Sequence, residues 1–178
     1  MEINNDIILE TRGLTKSFKG FTAVSDVDLK VKRGTIHALI GPNGAGKTTC
    51  FNLLTKFLIP TSGQILFNGI DITNEEPPQI ARRGVIRSFQ ISAVFPHLTV
   101  LENVRVALQK QLGTSLIARV AQGRTILMVE HNMKVVSTIA NTITVLQRGA
   151  VLAEGSYNEV SNNPQVMQAY MGTAEEHA

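Results

Sequence analysis

A glycine-rich loop that joins an apolar strand to a helix constrains this sequence more than any other feature. Residues 36–40 read Ile-His-Ala-Leu-Ile, a nearly continuous apolar run of the kind found in strands covered on both faces. Directly after it come Gly41-Pro42-Asn43-Gly44-Ala45-Gly46-Lys47-Thr48, and the pattern then predicts a helix from about Lys47 to Phe57. This order of strand, glycine loop and helix matches the P-loop pattern in full and favours an α/β domain.

The loop has the chemistry of a phosphate cradle. Glycines let the backbone approach an anion closely, and the first turn of the helix offers unpaired N–H groups and a positive dipole end. Lys47 adds a full positive charge for the terminal phosphates, and the Thr48 hydroxyl is a suitable ligand for Mg²⁺. A structural glycine turn with a chance lysine is the alternative, and the flanking strand and helix count against it. The motif residues expected at the nucleotide are Gly41, Asn43, Gly44, Ala45, Gly46, Lys47 and Thr48.

The rest of the chain alternates β-rich runs with helical patterns, which fits one α/β domain of 178 residues. The predicted strands are Ile7–Leu14, Val27–Val31, a hairpin over Gln64–Ile72 turning at Asn68-Gly69, Val85–Phe89, Thr125–Val129, Thr142–Gln147 and Ala150–Glu154. Further helices are predicted from Pro77 to Arg83, after Thr99, over Leu116–Ala121 and Asn132–Ala140, and around Tyr157–Val160 and Gln165–Met171.

Composition excludes several classes of protein. The net charge of +3 is spread along the chain without a basic block, so we expect no nucleic-acid partner. The single cysteine, Cys50, cannot form an internal disulfide and is interpreted as a small packed residue. No apolar run reaches the roughly 18 residues of a membrane span, and residues 1–6 lack the pattern of a signal peptide. We therefore expect a cytoplasmic chain that meets a membrane only through a partner.

Motifs along nearly the whole chain resemble those of the ATP-binding subunits of ABC transporters, in particular the branched-chain amino acid (or urea) importer group. Residues 41–49 resemble its Walker A motif, which adds Thr49 to the nucleotide-binding set. The other matching segments are Leu14-Thr15-Lys16-Ser17-Phe18, Ser62–Gly69, the Q-loop Ser88-Phe89-Gln90 with the helix 98–104 after it, the H-loop Val129-Glu130-His131-Asn132-Met133, and Gly149–Gly155.

This resemblance implies a fold and a set of roles. It implies a P-loop NTPase (RecA-like) core with an antiparallel β subdomain, and ATP with Mg²⁺ as cofactors. It makes Phe18 the aromatic that stacks on adenine, Gln90 a residue that contacts Mg²⁺ or the attacking water, and His131 a sensor of the γ-phosphate. It also implies transmembrane permease subunits as partners, a dimer of ATP-binding subunits, and a place on the inner face of the cell membrane.

Two parts of the family pattern are missing from the sequence. Gln90 and His131 are only 41 positions apart, no LSGGQ-like signature occurs, and no apolar run ends in Asp-Glu as a Walker B strand does. The flanking motifs are intact, so we interpret residues 1–178 as a single, incomplete domain with an internal deletion near 115–116. Hydrolysis needs a held metal and a group that positions water, so its loss is expected. With most of the helical subdomain and the Walker B strand gone, Val85–Phe89 is expected to pair with Thr125–Val129 and close the sheet.

Alternatives remain at two levels. Glu130 ends an apolar strand and superficially imitates a Walker B carboxylate, but the resemblance makes it the neighbour of the H-loop histidine, which favours a structural carboxylate. For the whole chain, the hypotheses are an importer subunit that is defective in hydrolysis, and a non-hydrolysing nucleotide-binding remnant with no transport role. A nucleotide kinase or GTPase is disfavoured, because the sequence lacks an Asn-Lys-x-Asp string and an arginine-rich lid.

Overall fold

Two four-stranded sheets form the framework of the described chain. The computed structural model describes residues 6–87, 123–131 and 133–171. In chain order the strands are β1 (Ile7–Phe18), β2 (Phe21–Lys32), β3 (Ile36–Ile40), β4 (Ser62–Phe67), β5 (Ile70–Asp71), β6 (Ile126–Val129), β7 (Thr142–Gln147) and β8 (Ala150–Gly155). The helices are α1 (Lys47–Leu54), α2 (Pro77–Arg82), α3 (Met133–Ile139), α4 (Tyr157–Ser161) and α5 (Pro164–Met171).

The two sheets differ in strand direction. The first has the order β2-β1-β4-β5 and is antiparallel throughout. The second has the order β6-β3-β7-β8, with β3 parallel to both β6 and β7, and β8 antiparallel to β7. A parallel pair needs a crossover connection, and α3 supplies it between β6 and β7. All five residues of β3 are buried, as the apolar run at 36–40 predicts for a central strand.

Two apolar clusters hold the sheets and helices together. The larger one joins the first sheet to α1 and β3 and contains Leu14, Val24, Leu39, Leu53 and Ile65, each with no exposed surface. The smaller one lies around β3, β7 and the helices α3 to α5, and it includes Ile40, Val136 and Val160. The P-loop helix α1 therefore packs between the two sheets, which fixes the loop that precedes it.

Most elements agree with the sequence predictions. The sequence alone predicts β3, β7, α2 and the two tight hairpin turns within a residue of their observed bounds. At Asn68-Gly69 both residues have positive φ, 52° and 75°, which is the turn geometry that suits a two-residue hairpin. β1 and β2 extend beyond their predicted ends, because the two strands continue to pair as far as Phe18 and Phe21.

Two predictions of secondary structure are wrong, and each has a physical reason. The P-loop helix ends at Leu54 instead of Phe57, since Lys56 adopts a left-handed φ of 61° and its buried ammonium donates to the carbonyl of Thr73. Residues 85–87, the described part of the predicted strand Val85–Phe89, belong to no strand. Instead the Val85 amide donates to the Ile80 carbonyl at 3.1 Å.

The contacts of Arg87 explain why residues 85–87 do not join the sheet. Its guanidinium donates to Asn52 Oδ1 at 2.5 Å and lies 5.0 Å from the ring centres of both Phe51 and Phe57. These contacts hold residues 85–87 against the end of α1. Within the described residues β6 is the edge of its sheet, so the expected pairing of Val85–Phe89 with Thr125–Val129 is not made over 85–87.

Several predictions fall outside the described residues. These are Gln90, the helix after Thr99, the helical piece Leu116–Ala121 and the join near 115–116. Among the described residues, no helix is long and apolar enough to cross a bilayer.

Candidate functional site

The P-loop lies at the carboxyl end of β3, in the centre of the second sheet. Gly41 follows the last residue of β3, residues 42–46 form the turn, and Lys47, Thr48 and Thr49 make up the first turn of α1. The structure therefore brings together all the residues that the motif assigns to nucleotide binding. Crevices at the carboxyl ends of parallel strands are where ligands bind in open α/β sheets.

Two glycines of the loop have no room for a side chain. A Cβ on Gly41 would overlap the carbonyl oxygen of Leu146, and one on Gly46 would overlap the carbonyl oxygen of Ala23. Both residues have positive φ, 147° and 93°, which other residues rarely adopt. The loop is thus pressed against β2 on one side and the end of β7 on the other, and its shape depends on glycine at these positions.

The amides of the loop are available to an anion. The nitrogens of Asn43, Gly44 and Gly46 make no hydrogen bond to any residue that the structure describes, while the Ala45 amide closes the turn onto the Pro42 carbonyl at 3.2 Å. Gly46 is the N-cap of α1 and supplies no side-chain cap, so the first amides of the helix are also uncapped. Uncapped amides at a helix start, together with the helix dipole, favour an anion.

The ammonium of Lys47 lies within this loop. Lys47 Nζ donates to the carbonyls of Gly41 at 2.7 Å and Pro42 at 2.8 Å. Partial burial lowers the pKa of Lys47 from its ordinary value, because the charged form loses solvation. An ammonium has three donors, so these two bonds leave one for a phosphate oxygen. The ammonium thus lies within the loop, where the motif predicts a positive charge.

The donor set fits a magnesium ion that is shared with a phosphate chain. The Thr48 residue is exposed at the start of α1, and its hydroxyl makes no hydrogen bond to a described residue. Among the described residues there is no cluster of three His, Cys, Asp or Glu side chains that would cage a metal. Mg²⁺ is usually bound through few protein oxygens plus phosphates and water, so a single hydroxyl is a suitable contribution.

His131 and Glu130 lie one strand away from the loop. Leu39 pairs with Val129 in the parallel register of β3 and β6, and the Glu130 amide donates to the Leu39 carbonyl at 3.4 Å. Adjacent strands are roughly 4.8 Å apart, which brings residues 130 and 131 beside the start of the P-loop. The His131 side chain is 82% exposed.

Glu130 is engaged locally. Its Oε2 accepts a hydrogen bond from the His131 amide at 2.8 Å and lies 3.5 Å from His131 Nδ1. This contact ties the carboxylate to the chain that carries His131, which matches the interpretation of Glu130 as a structural neighbour of the histidine.

Phe18 lies at the tip of the β1–β2 hairpin, where its residue is 45% exposed. Its cross-strand partner is Phe21, which is 63% exposed. Two positions further along β2, the Ala23 carbonyl touches Gly46 of the loop. The hairpin tip is therefore near the P-loop.

One contributor to the site was not identified from the sequence. Gly149, in the turn between β7 and β8, donates its amide to the Ala45 carbonyl at 3.1 Å and accepts from the Ser25 amide at 2.8 Å. It thus links the P-loop to β2. The Arg148-Gly149 turn is visible in the sequence, but no local signal indicates that it reaches residue 45.

Comparison with known proteins identifies the family. Residues 24–167 match the family described as ABC transporter. The chain is 30% identical over 251 residues to the high-affinity branched-chain amino acid transport ATP-binding protein BraF of Pseudomonas aeruginosa, covering 94% of this chain and 98% of BraF.

Solved structures share the fold. The ADP conformation of an ATP-binding cassette of an ABC transporter matches with a TM-score of 0.77 and 21% identity, covering 93% of this chain and 99% of the other. A dimeric ATP-binding cassette in a post-hydrolysis state, bound to ADP and phosphate, matches with a TM-score of 0.68 and 17% identity, covering 84% and 99%. The family match spans residues 24–167, which include the P-loop and the strands β3 to β8, so this protein belongs to the ABC transporter family.

Proposed function

We propose that this chain is an ATP-binding subunit of a branched-chain amino acid importer that binds ATP with Mg²⁺ and does not hydrolyse it at a useful rate. The observation that carries the proposal is an intact P-loop, with free amides and the Lys47 ammonium in place, in a sequence without the Walker B and signature motifs. The name of BraF supports the amino acid class of the transported solute.

Each nucleotide-binding residue has a specific role in this proposal. The amides of the loop and of the first turn of α1 bind the phosphate oxygens, and Lys47 neutralises the terminal phosphates. The Thr48 hydroxyl holds Mg²⁺, which when bound draws charge away from the phosphates. Phe18 stacks on adenine, while His131 beside the loop, and Gln90 by resemblance, contact the γ-phosphate and the metal. These assignments follow the family motifs and are supported by the placement of Phe18, Lys47, Thr48 and His131.

Loss of hydrolysis follows from what the chain lacks. A water that attacks the γ-phosphate must be oriented and must lose a proton, and the family uses a Walker B aspartate and the following glutamate around that step. The alignment to BraF is 251 residues long and this chain has 178, so at least 73 aligned positions hold no residue of this chain. Because the alignment covers 94% of this chain and 98% of BraF, this difference supports an internal deletion, which we place near 115–116.

The binding half of the proposal is tested by Lys47→Ala. Equilibrium titration with a fluorescent ATP analogue should show affinity weakened by about 10- to 100-fold, because a charge-assisted contact to phosphate is worth ~1.5–3 kcal/mol. Lys19→Ala is the matched control, since Lys19 is an exposed lysine of the β1–β2 turn with no contact to the loop. Equal affinities for the two variants would contradict phosphate binding by Lys47.

A non-hydrolysing remnant without a transport role is the second candidate. The missing positions between Gln90 and His131 favour it, because that stretch carries much of the surface that such subunits present to a permease. Co-expression with the permease subunits of the importer decides between the two candidates. An importer subunit at the inner membrane face co-purifies with the permease and dimerises there. A remnant binds ATP but does not co-purify with the permease.

A further inference from the structure

We propose that Lys16 is a positioning residue for the nucleobase: its ammonium holds the Phe18 ring so that the opposite ring face receives adenine. This inference rests on the proposed function, because it concerns the same ATP site. It adds a residue to that site which neither the motif nor the family resemblance assigns, and it links base binding to the loop that follows α1.

The contacts of Lys16 carry the proposal. Lys16 Nζ donates to the backbone carbonyl of Ile59 at 2.7 Å, and the same atom lies 5.3 Å from the centre of the Phe18 ring. This distance falls within the roughly 6 Å range of a cation–π interaction. The Ile59 carbonyl therefore fixes the ammonium, and the ammonium in turn fixes one face of the aromatic ring.

The position of the ring suits a nucleobase whose phosphates bind at the P-loop. Phe18 pairs with Phe21 across the hairpin tip, and Ala23, two residues beyond Phe21, touches Gly46 through its carbonyl. Two strand residues span about 7 Å. A ribose can bridge a distance of this size between the hairpin tip and the P-loop. Phe18 is 45% exposed, so part of this residue is open to a ligand.

Two physical effects should make Lys16 contribute to the binding of the base and not to the binding of the phosphates. An exposed phenylalanine at a hairpin tip samples several rotamers, and the cation–π contact selects one of them before the ligand arrives. Pre-ordering a side chain removes part of the cost of binding. The ammonium also occupies one side of the ring, which leaves a single face on which adenine stacks. A ligand without a base gains from neither effect.

The test compares ATP with inorganic tripolyphosphate, each with Mg²⁺, as ligands of the full chain. In Lys16→Met the stem of the side chain remains and the ammonium is lost. We expect the affinity for ATP to fall about three- to tenfold, which corresponds to the ordering cost of one side chain, while the affinity for tripolyphosphate stays within twofold. Lys16→Arg keeps a cation over the ring and should bind ATP within twofold of the unmodified chain.

Lys19→Met is the matched control, because it removes the same charge from the same hairpin tip, whereas the ammonium over the Phe18 ring is that of Lys16. It should leave both affinities unchanged, and thermal unfolding should show that all variants are folded. Equal loss of ATP and tripolyphosphate binding in Lys16→Met would mean that Lys16 acts only as a general positive charge, which overturns the proposal.

Failure of the inference can be told apart from failure of the proposed function. Should Phe18→Ala weaken ATP binding while Lys16→Met leaves it unchanged, the base still stacks on Phe18 and only the role of Lys16 is wrong. Should the unmodified chain bind neither ATP nor tripolyphosphate, the proposed function and this inference are both wrong.

Discussion

His37 shows how a single residue of the P-loop strand is adapted to the interior. It lies in the centre of β3 with 1% of its surface exposed, and its Nε2 bonds Thr144 Oγ1 at 2.8 Å. The Thr144 hydroxyl in turn donates to Glu154 Oε2 at 2.6 Å. Burial lowers the pKa of His37 to about 4, because a charged imidazole would lose its hydration there. His37 is thus a structural residue of the core.

This buried imidazole predicts a pH dependence of stability. The pKa of histidine is about 6.5 in the unfolded chain and about 4 in the folded one, so between these values the unfolded state binds more protons. The contribution of neutral His37 to the free energy of unfolding is fully present above pH 6.5 and is lost as the pH falls toward 4. Urea unfolding should show about 2 kcal/mol less stability at pH 5 than at pH 7 from this residue.

The control for this effect is His37→Leu, which has no group to titrate at that position. Its free energy of unfolding should differ less between pH 7 and pH 5 than that of the unmodified chain. An unchanged difference would mean that other groups produce the pH dependence.

At the scale of elements, the β7–β8 turn supports the P-loop through Gly149. Besides its hydrogen bond to Ala45, a Cβ on Gly149 would come 2.8 Å from the carbonyl oxygen of Ala23, the same atom that limits Gly46. The loop, the turn and β2 therefore share one tightly packed contact. A change at any of these three places is expected to move the amides that bind phosphate.

Gly149→Ala tests this support against a well-matched control. Gly149 and Gly69 are the second residues of similar two-residue turns, with φ values of 83° and 75°, but a Cβ on Gly69 meets no atom within 4 Å. Both substitutions cost roughly 1 kcal/mol of backbone strain in urea unfolding. Only Gly149→Ala should also weaken ATP binding, by about fivefold or more, because its Cβ would press on the Ala23 carbonyl and shift the turn that bonds Ala45. Equal ATP affinities in the two variants would contradict the view that Gly149 holds the P-loop in its binding shape.

These elements also mark how far the sequence alone was informative. The apolar run 36–40, the glycine loop and the Asn68-Gly69 turn are local patterns, and the structure has them as predicted. The contact between Gly149 and Ala45 joins residues far apart in the chain and has no local signature. Likewise, Val85–Phe89 has the composition of a strand, but the docking of Arg87 on α1 outweighs that propensity over residues 85–87.

At the scale of the whole molecule, the second sheet has four strands within the described residues, and residues 85–87 are not among them. In the described part of the chain β6 is an edge strand, and Val129 is 37% exposed. An edge of a parallel sheet leaves backbone groups unpaired and apolar side chains in contact with water. The predicted closing of the sheet over the gap is not met over residues 85–87, which belong to no strand.

We therefore expect this chain to be less stable than BraF, which has the additional aligned positions. Thermal unfolding followed by circular dichroism, in the same buffer without nucleotide, should give a midpoint several degrees lower for this chain. A deficit of one or two kcal/mol at this size corresponds to about 2–8 °C. A midpoint equal to or above that of BraF would show that the shortened sheet carries no cost in stability.

The central claim, binding without turnover, is tested most directly by measuring both in one preparation. Bound ATP and released phosphate are followed at saturating ATP and Mg²⁺, for the unmodified chain and for Lys47→Ala. A missing catalytic base typically costs 10²- to 10⁴-fold, so the account predicts Lys47-dependent binding with turnover below about 0.01 per second. Lys47-dependent turnover on the order of a few per second would contradict it.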